Sequence, residues 1–247
     1  MIRLRNITKK YADFLAVDNL SLSIEAGEIF GFIGPNGAGK TTTIKIMGGI
    51  MAPTSGDVAI RGIDMLEKPV EAKQKIGFIP DRPYLYEKLT GMEFLRFTAD
   101  LYNVDMASFP TKADEKLDLF SLTDWSNELI ESYSHGMKQR LIMAAALLHD
   151  PEIIIVDEPM VGLDPAGIRN VKDLFKRLAS EGVTIFLSTH TLVVAEDICT
   201  RIGVIHKGSL IATGTHDDLK RNLQARDADL EQIFLRMTND AMFESGD

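Results

Sequence analysis

At 247 residues the chain can bury a substantial core, which suits one large domain, or one carrying an inserted lobe, better than two independent domains. Its 45% hydrophobic and 26% charged residues match an ordinary globular protein, and the formal charge of −9 gives no general attraction for nucleic-acid phosphates. The single cysteine, Cys199, excludes an intramolecular disulfide.

In chain order, alternation in "IRLRNI" and "NLSLSIEAG" predicts two strands on a half-buried sheet, and "EIFGFIG" a buried strand running into a glycine turn. "TTTIKIMGGIM" is helical, "SGDVAIRG" a short strand, and "KIGFIP" a strand that Pro80 ends. Between Leu85 and Leu148 the pattern turns helical in "TGMEFLRFTADLYN", "TKADEKLDLFSL" and "HGMKQRLIMAAALLHD", so residues 85–148 are expected to form an inserted lobe. Alternation of strand and helix resumes from "EIIIVDE" to "SLIATG", consistent with a mostly parallel sheet. A helical tail covers 221–247, leaving 1–84 and 149–220 as the α/β core of a single domain. The longest apolar run, Leu141 to Leu148, is far short of the roughly 20 residues of a membrane span. The basic N-terminus lacks a secretory apolar run, which implies a cytoplasmic chain.

"GPNGAGKTT" follows a buried strand and opens a helix, the context a phosphate loop needs. Its glycines Gly34, Gly37 and Gly39 let backbone N–H groups turn inward around an anion, with Pro35, Asn36 and Ala38 completing the loop. Lys40 reaches the β- and γ-phosphates, and Thr41, followed by Thr42, offers a hydroxyl to Mg²⁺. "EIIIVDEP" is a β-branched strand ending in two carboxylates: Asp157 suits Mg²⁺, and Glu158 suits a base that orients or deprotonates water. His190 closes "VTIFLSTH" on the same expected sheet edge, within reach of a terminal phosphate. His149, His206 and His216 read as residues of polar turns.

Together these residues resemble the ATP-binding cassette family. "GPNGAGKTT" matches its Walker A, "IIIVDE" its Walker B with the catalytic glutamate, "VGLD" its D-loop with Asp164, and "LSTH" its switch histidine. "YSHGM" lies at the family's signature: Ser134 and Gly136 match its serine and second glycine, while His135 and Met137 depart from it. The resemblance implies an α/β P-loop NTPase fold with a mostly parallel core sheet, an N-terminal antiparallel β subdomain and a helical lobe. It implies ATP and Mg²⁺ as cofactors, and a homodimer or cassette heterodimer in which Ser134 and Gly136 serve the partner's nucleotide. Tyr11 lies where the family stacks an aromatic on adenine. Asp81 stands where the family has a γ-phosphate-sensing glutamine, and its carboxylate can approach Mg²⁺ but cannot donate as an amide does. "YSHGMKQR" and "DLEQIFLRMT" resemble bacterial exporters of the drug- and antibiotic-resistance type, which implies separate permease chains holding the cassette at the inner face of the membrane.

The alternative, a soluble cassette acting on DNA or ribosomes, predicts features the chain lacks. No sustained heptads separate Lys40 from Asp157, and there is one cassette, not two in tandem. A non-hydrolysing regulatory module would have lost Lys40, Glu158 or His190, and all three are present.

Overall fold

The computed structural model describes residues 1–82, 84–222 and 230–243. A four-stranded antiparallel sheet comes from the N-terminal part, in the order β2 (Phe14–Ile24), β1 (Ile2–Tyr11), β4 (Ser55–Ile60), β5 (Ile63–Asp64). The larger, six-stranded sheet runs β10 (Ser209–Gly214), β9 (Arg201–His206), β3 (Ile29–Ile33), β8 (Thr184–Thr189), β7 (Ile153–Asp157), β6 (Ile76–Ile79). All its pairings are parallel except β9–β10.

Every residue of β3, β7 and β8 is buried, because both faces of this sheet are covered. Ile153 and Ile155 of β7 join Phe30, Phe32 and Phe186 in the core shared with α1 (Lys40–Met47) and the antiparallel sheet. Phe186 stacks on Phe30 at 5.9 Å and meets Phe32 at 5.3 Å. The alternate residues Ile154 and Val156 face the other way, toward α6 (Pro165–Ser180) and the lobe of α3 (Gly91–Leu101), α4 (Phe109–Leu119) and α5 (His135–Leu147). A third cluster, including Ile33, Val204, Leu219 and Ile233, seats α7 (Leu192–Ile198), α8 (His216–Asn222) and α9 (Leu230–Phe243). The short α2 (Pro69–Lys73) precedes β6.

Both strands of the first hairpin are longer than their alternation predicts. Asn6 and Asn19 adopt positive φ, and their side chains bond to each other at 2.8 Å where the register shifts. Such a bulge breaks the period of two within continuous strands. His149 lies in the turn after α5, as expected, but its ring is not left to solvent. Its ring stacks on Tyr102 of the lobe at 3.8 Å, and Nε2 lies 3.1 Å from the Ile76 carbonyl of the core. His206 ends β9 and is buried, and His216 opens α8. Among the described residues, no helix is long and apolar enough to cross a membrane.

Candidate nucleotide site

Parallel strands deliver their C-terminal ends to one edge, where open α/β sheets bind ligands. Pairing of Ile33 with Thr189, Asp157 with Ser188 and Ile79 with Val156 brings together the phosphate loop, the two acids, His190 and Asp81. They surround a cleft of about 420 Å³, lined by Asn36, Gly37, Gly39, Lys40, Thr41, Thr42, Asp81, Asp157, Glu158 and His190, with Phe14, Ala16 and Val161.

The loop reaches α1 through Gly39, whose φ of +109° is open to glycine, and a β-carbon there would lie 2.5 Å from the Ala16 carbonyl oxygen. The Gly39 carbonyl then accepts from the Thr43 N–H and hydroxyl, both at 2.9 Å, fixing the first turn of the helix. Lys40 is buried, and its Nζ donates to the carbonyls of Gly34 at 2.6 Å and Pro35 at 3.1 Å. Burial lowers the Lys40 pKa, against the opposing pull of Glu158 and Asp157.

Thr41 Oγ1 donates to Asp157 Oδ2 at 3.2 Å. Burial lifts the Asp157 carboxyl above the usual range, and the charges of Glu158 and Asp81 lift it further. A hydroxyl and a carboxylate side by side fit a hard cation that draws its remaining ligands from phosphate and water, as Mg²⁺ does. Among the described residues no group of three or more His, Cys, Asp or Glu forms a protein-only metal cage.

Glu158 has a φ of +51°, and its N–H donates to the Ser188 carbonyl at 2.9 Å. Its Oε1 accepts from the His190 N–H at 2.9 Å and meets His190 Nδ1 at 2.7 Å, while Oε2 accepts from Thr189 Oγ1 at 3.2 Å. Two residues here escaped the sequence reading. Phe14 lies ahead of the predicted strand "NLSLSIEAG", and Thr189 lies inside "VTIFLSTH", where only His190 stood out.

Other candidates lie elsewhere. Tyr11 pairs with Phe14 across the hairpin, donates its hydroxyl to Met51 Sδ at 2.8 Å, and does not line the cleft, whose aromatic is Phe14. Ser134 caps α5 by accepting from Met137 N–H at 3.2 Å, and Gly136 follows in the first turn. The His135 ring packs on Gly162, where positive φ and this contact both demand glycine. Asp164 caps α6 through the Gly167 N–H at 3.0 Å and lines a different cleft, of about 470 Å³, together with Arg140 and Phe120.

Residues 17–161 match the model of the family described as ABC transporter. The chain belongs to this family, as one of its ATPase cassettes. It is 37% identical over 243 residues to the probable multidrug ABC transporter ATP-binding protein YbhF of Escherichia coli (strain K12), covering 97% of this chain and 42% of YbhF. It is 39% identical over 219 residues to the linearmycin resistance ATP-binding protein LnrL of Bacillus subtilis (strain 168), covering 89% of this chain and 70% of LnrL. A solved ATP-binding subunit of an ABC transporter superposes with a TM-score of 0.92 at 32% identity, over 96% of this chain and 99% of that one. The dimeric bacterial cassette MJ0796 does so at 0.81 and 30%, over 87% and 98%.

Proposed function

We propose that this chain hydrolyses MgATP in a two-chain sandwich and drives export of drug- or antibiotic-like molecules through separate permease chains at the inner face of the membrane. One observation carries the reading. Lys40, Thr41, Asp157, Glu158 and His190 share one cleft, while the capped N-terminus of α5 lies outside it. A second anion nest, with Ser134 and Gly136 at a helix N-terminus, thus stands apart from the phosphate cleft of its own chain. The dimeric form of MJ0796 and the resistance relatives support the same assembly and direction.

In this reading Lys40 and the loop N–H groups hold the β- and γ-phosphates, Thr41 and Asp157 hold Mg²⁺, and Asp81 stands beside them. Bound Mg²⁺ neutralises phosphate charge. Glu158 orients the attacking water and takes its proton, and His190 fixes the glutamate while facing the γ-phosphate. Tyr11 or Phe14 stacks on the base, and Asp164 meets the partner chain. Residues 85–148 act as the lobe that carries Ser134, and 1–84 with 149–220 as the core.

The test uses Glu158→Gln, which should still bind ATP while turnover falls by about 10²–10⁴-fold. With ATP this variant should run as a dimer by light scattering, and without ATP as a monomer. A variant that stays monomeric with ATP, alone and with its permease, overturns the sandwich.

A further inference from the structure

We propose that Thr189 is a positioning residue for hydrolysis, its hydroxyl holding the one oxygen of Glu158 that is left to receive a proton from water. The proposal rests on the assignment of Glu158 as the group that handles water.

A carboxylate offers about four lone-pair sites on its two oxygens. With the proton on Nδ1, His190 fills both sites of Oε1, through its backbone N–H at 2.9 Å and its ring at 2.7 Å. Thr189 Oγ1, at 3.2 Å, fills one site of Oε2. The remaining site belongs to Oε2. The oxygen that meets water is therefore the one whose direction Thr189 sets.

The hydroxyl is itself committed. It accepts from the Thr191 N–H at 3.0 Å, and its only proton points to the carboxylate. Thr189 is buried, and its branched side chain has few χ1 choices. Its backbone pairs with Ile33, the residue immediately before the phosphate loop. Thr189 thus references the glutamate to the strand that carries the phosphates, a distance that must be right for in-line attack. Such a tether matters more because Glu158 stands in left-handed backbone, a conformation that persists only when its surroundings hold it.

The other role open to Thr189 is purely structural: closing the turn into α7 through the Thr191 bond. Steady-state ATPase kinetics of the assembled cassette separate the two. Thr189→Val keeps the shape and removes the hydroxyl, and should lower kcat by about 10-fold while leaving KM for ATP within about twofold. Thr189→Ser restores the hydroxyl and should recover most of kcat. Thr189→Ala carries the same expectation as valine, should valine not fold. In a Glu158→Gln background the valine change should lower turnover no further, because its effect runs through the carboxylate. A normal kcat in both hydroxyl-free variants overturns the proposal, as does a loss confined to KM or a serine variant as slow as valine. If Glu158→Gln itself turns over normally, the parent assignment of the base fails, whatever Thr189 does.

Discussion

Acidification should loosen the joint between the lobe and the core through His149, which touches Tyr102 on one side and Ile76 on the other. Burial lowers its pKa from 6.5 to about 4, the Ile76 carbonyl and Asp150 opposing the shift and Lys112 reinforcing it. The folded state thus prefers the neutral ring, and Nδ1 is buried without a partner. Because the folded pKa is the lower one, its full contribution to stability is present above pH 6.5 and is lost as the pH falls through 4. For these two values the loss is about 2 kcal/mol at pH 5 and approaches about 3 kcal/mol well below pH 4. Urea unfolding of the wild type and His149→Gln at pH 7 and pH 5 measures it, since other titrating groups cancel in the comparison. The wild type should lose about 2 kcal/mol more than the variant over that interval. Equal losses, or a ring titration by NMR with its midpoint near 6.5, would refute the buried neutral ring.

Lys40→Ala should remove most nucleotide binding, because the β/γ-phosphate charge loses its principal cation, and an unchanged ATP titration would count against the phosphate-loop assignment. Asp81→Ala should disturb permease-stimulated turnover more than basal turnover: Asp81 lines the cleft, while the nearby Tyr84 is exposed and free to meet a partner. Equal loss in both assays would place Asp81 among the groups needed for hydrolysis. Mixing Ser134→Arg with Lys40→Ala chains should restore part of the activity missing from each alone, since in the proposed sandwich every mixed dimer has one intact composite site. No recovery would mean that a single site cannot fire, or that Ser134 serves no partner.

The phosphate loop was legible because its determinants are local: a buried strand, glycines at a turn and a helix start all fall between Ile29 and Met47. Asp157, Glu158 and His190 were legible as strand ends. Their mutual geometry was not, because it depends on β7 lying beside β8 and on which carboxylate oxygen each neighbour takes. Alternation failed at Asn6 and Asn19, where a bulge inverts the faces without ending the strand. For His149 the turn was legible but the covering of its ring was not, because the lobe folds Tyr102 onto it, a contact between residues far apart in sequence.

The order of strands in the large sheet has a consequence for biosynthesis. The strand that leads into the phosphate loop, β3, pairs only with β8 and β9, both more than 150 residues further along the chain. A ribosome that has just released β3 therefore exposes five fully apolar-facing positions with no edge to join. Contacts so distant are slow to form, and the unsatisfied strand invites chaperones or mispairing until they do. A nascent chain stopped before Thr184 should capture no ATP, however complete its Walker sequences look. The cassette becomes competent only once β8 and β9 have been made.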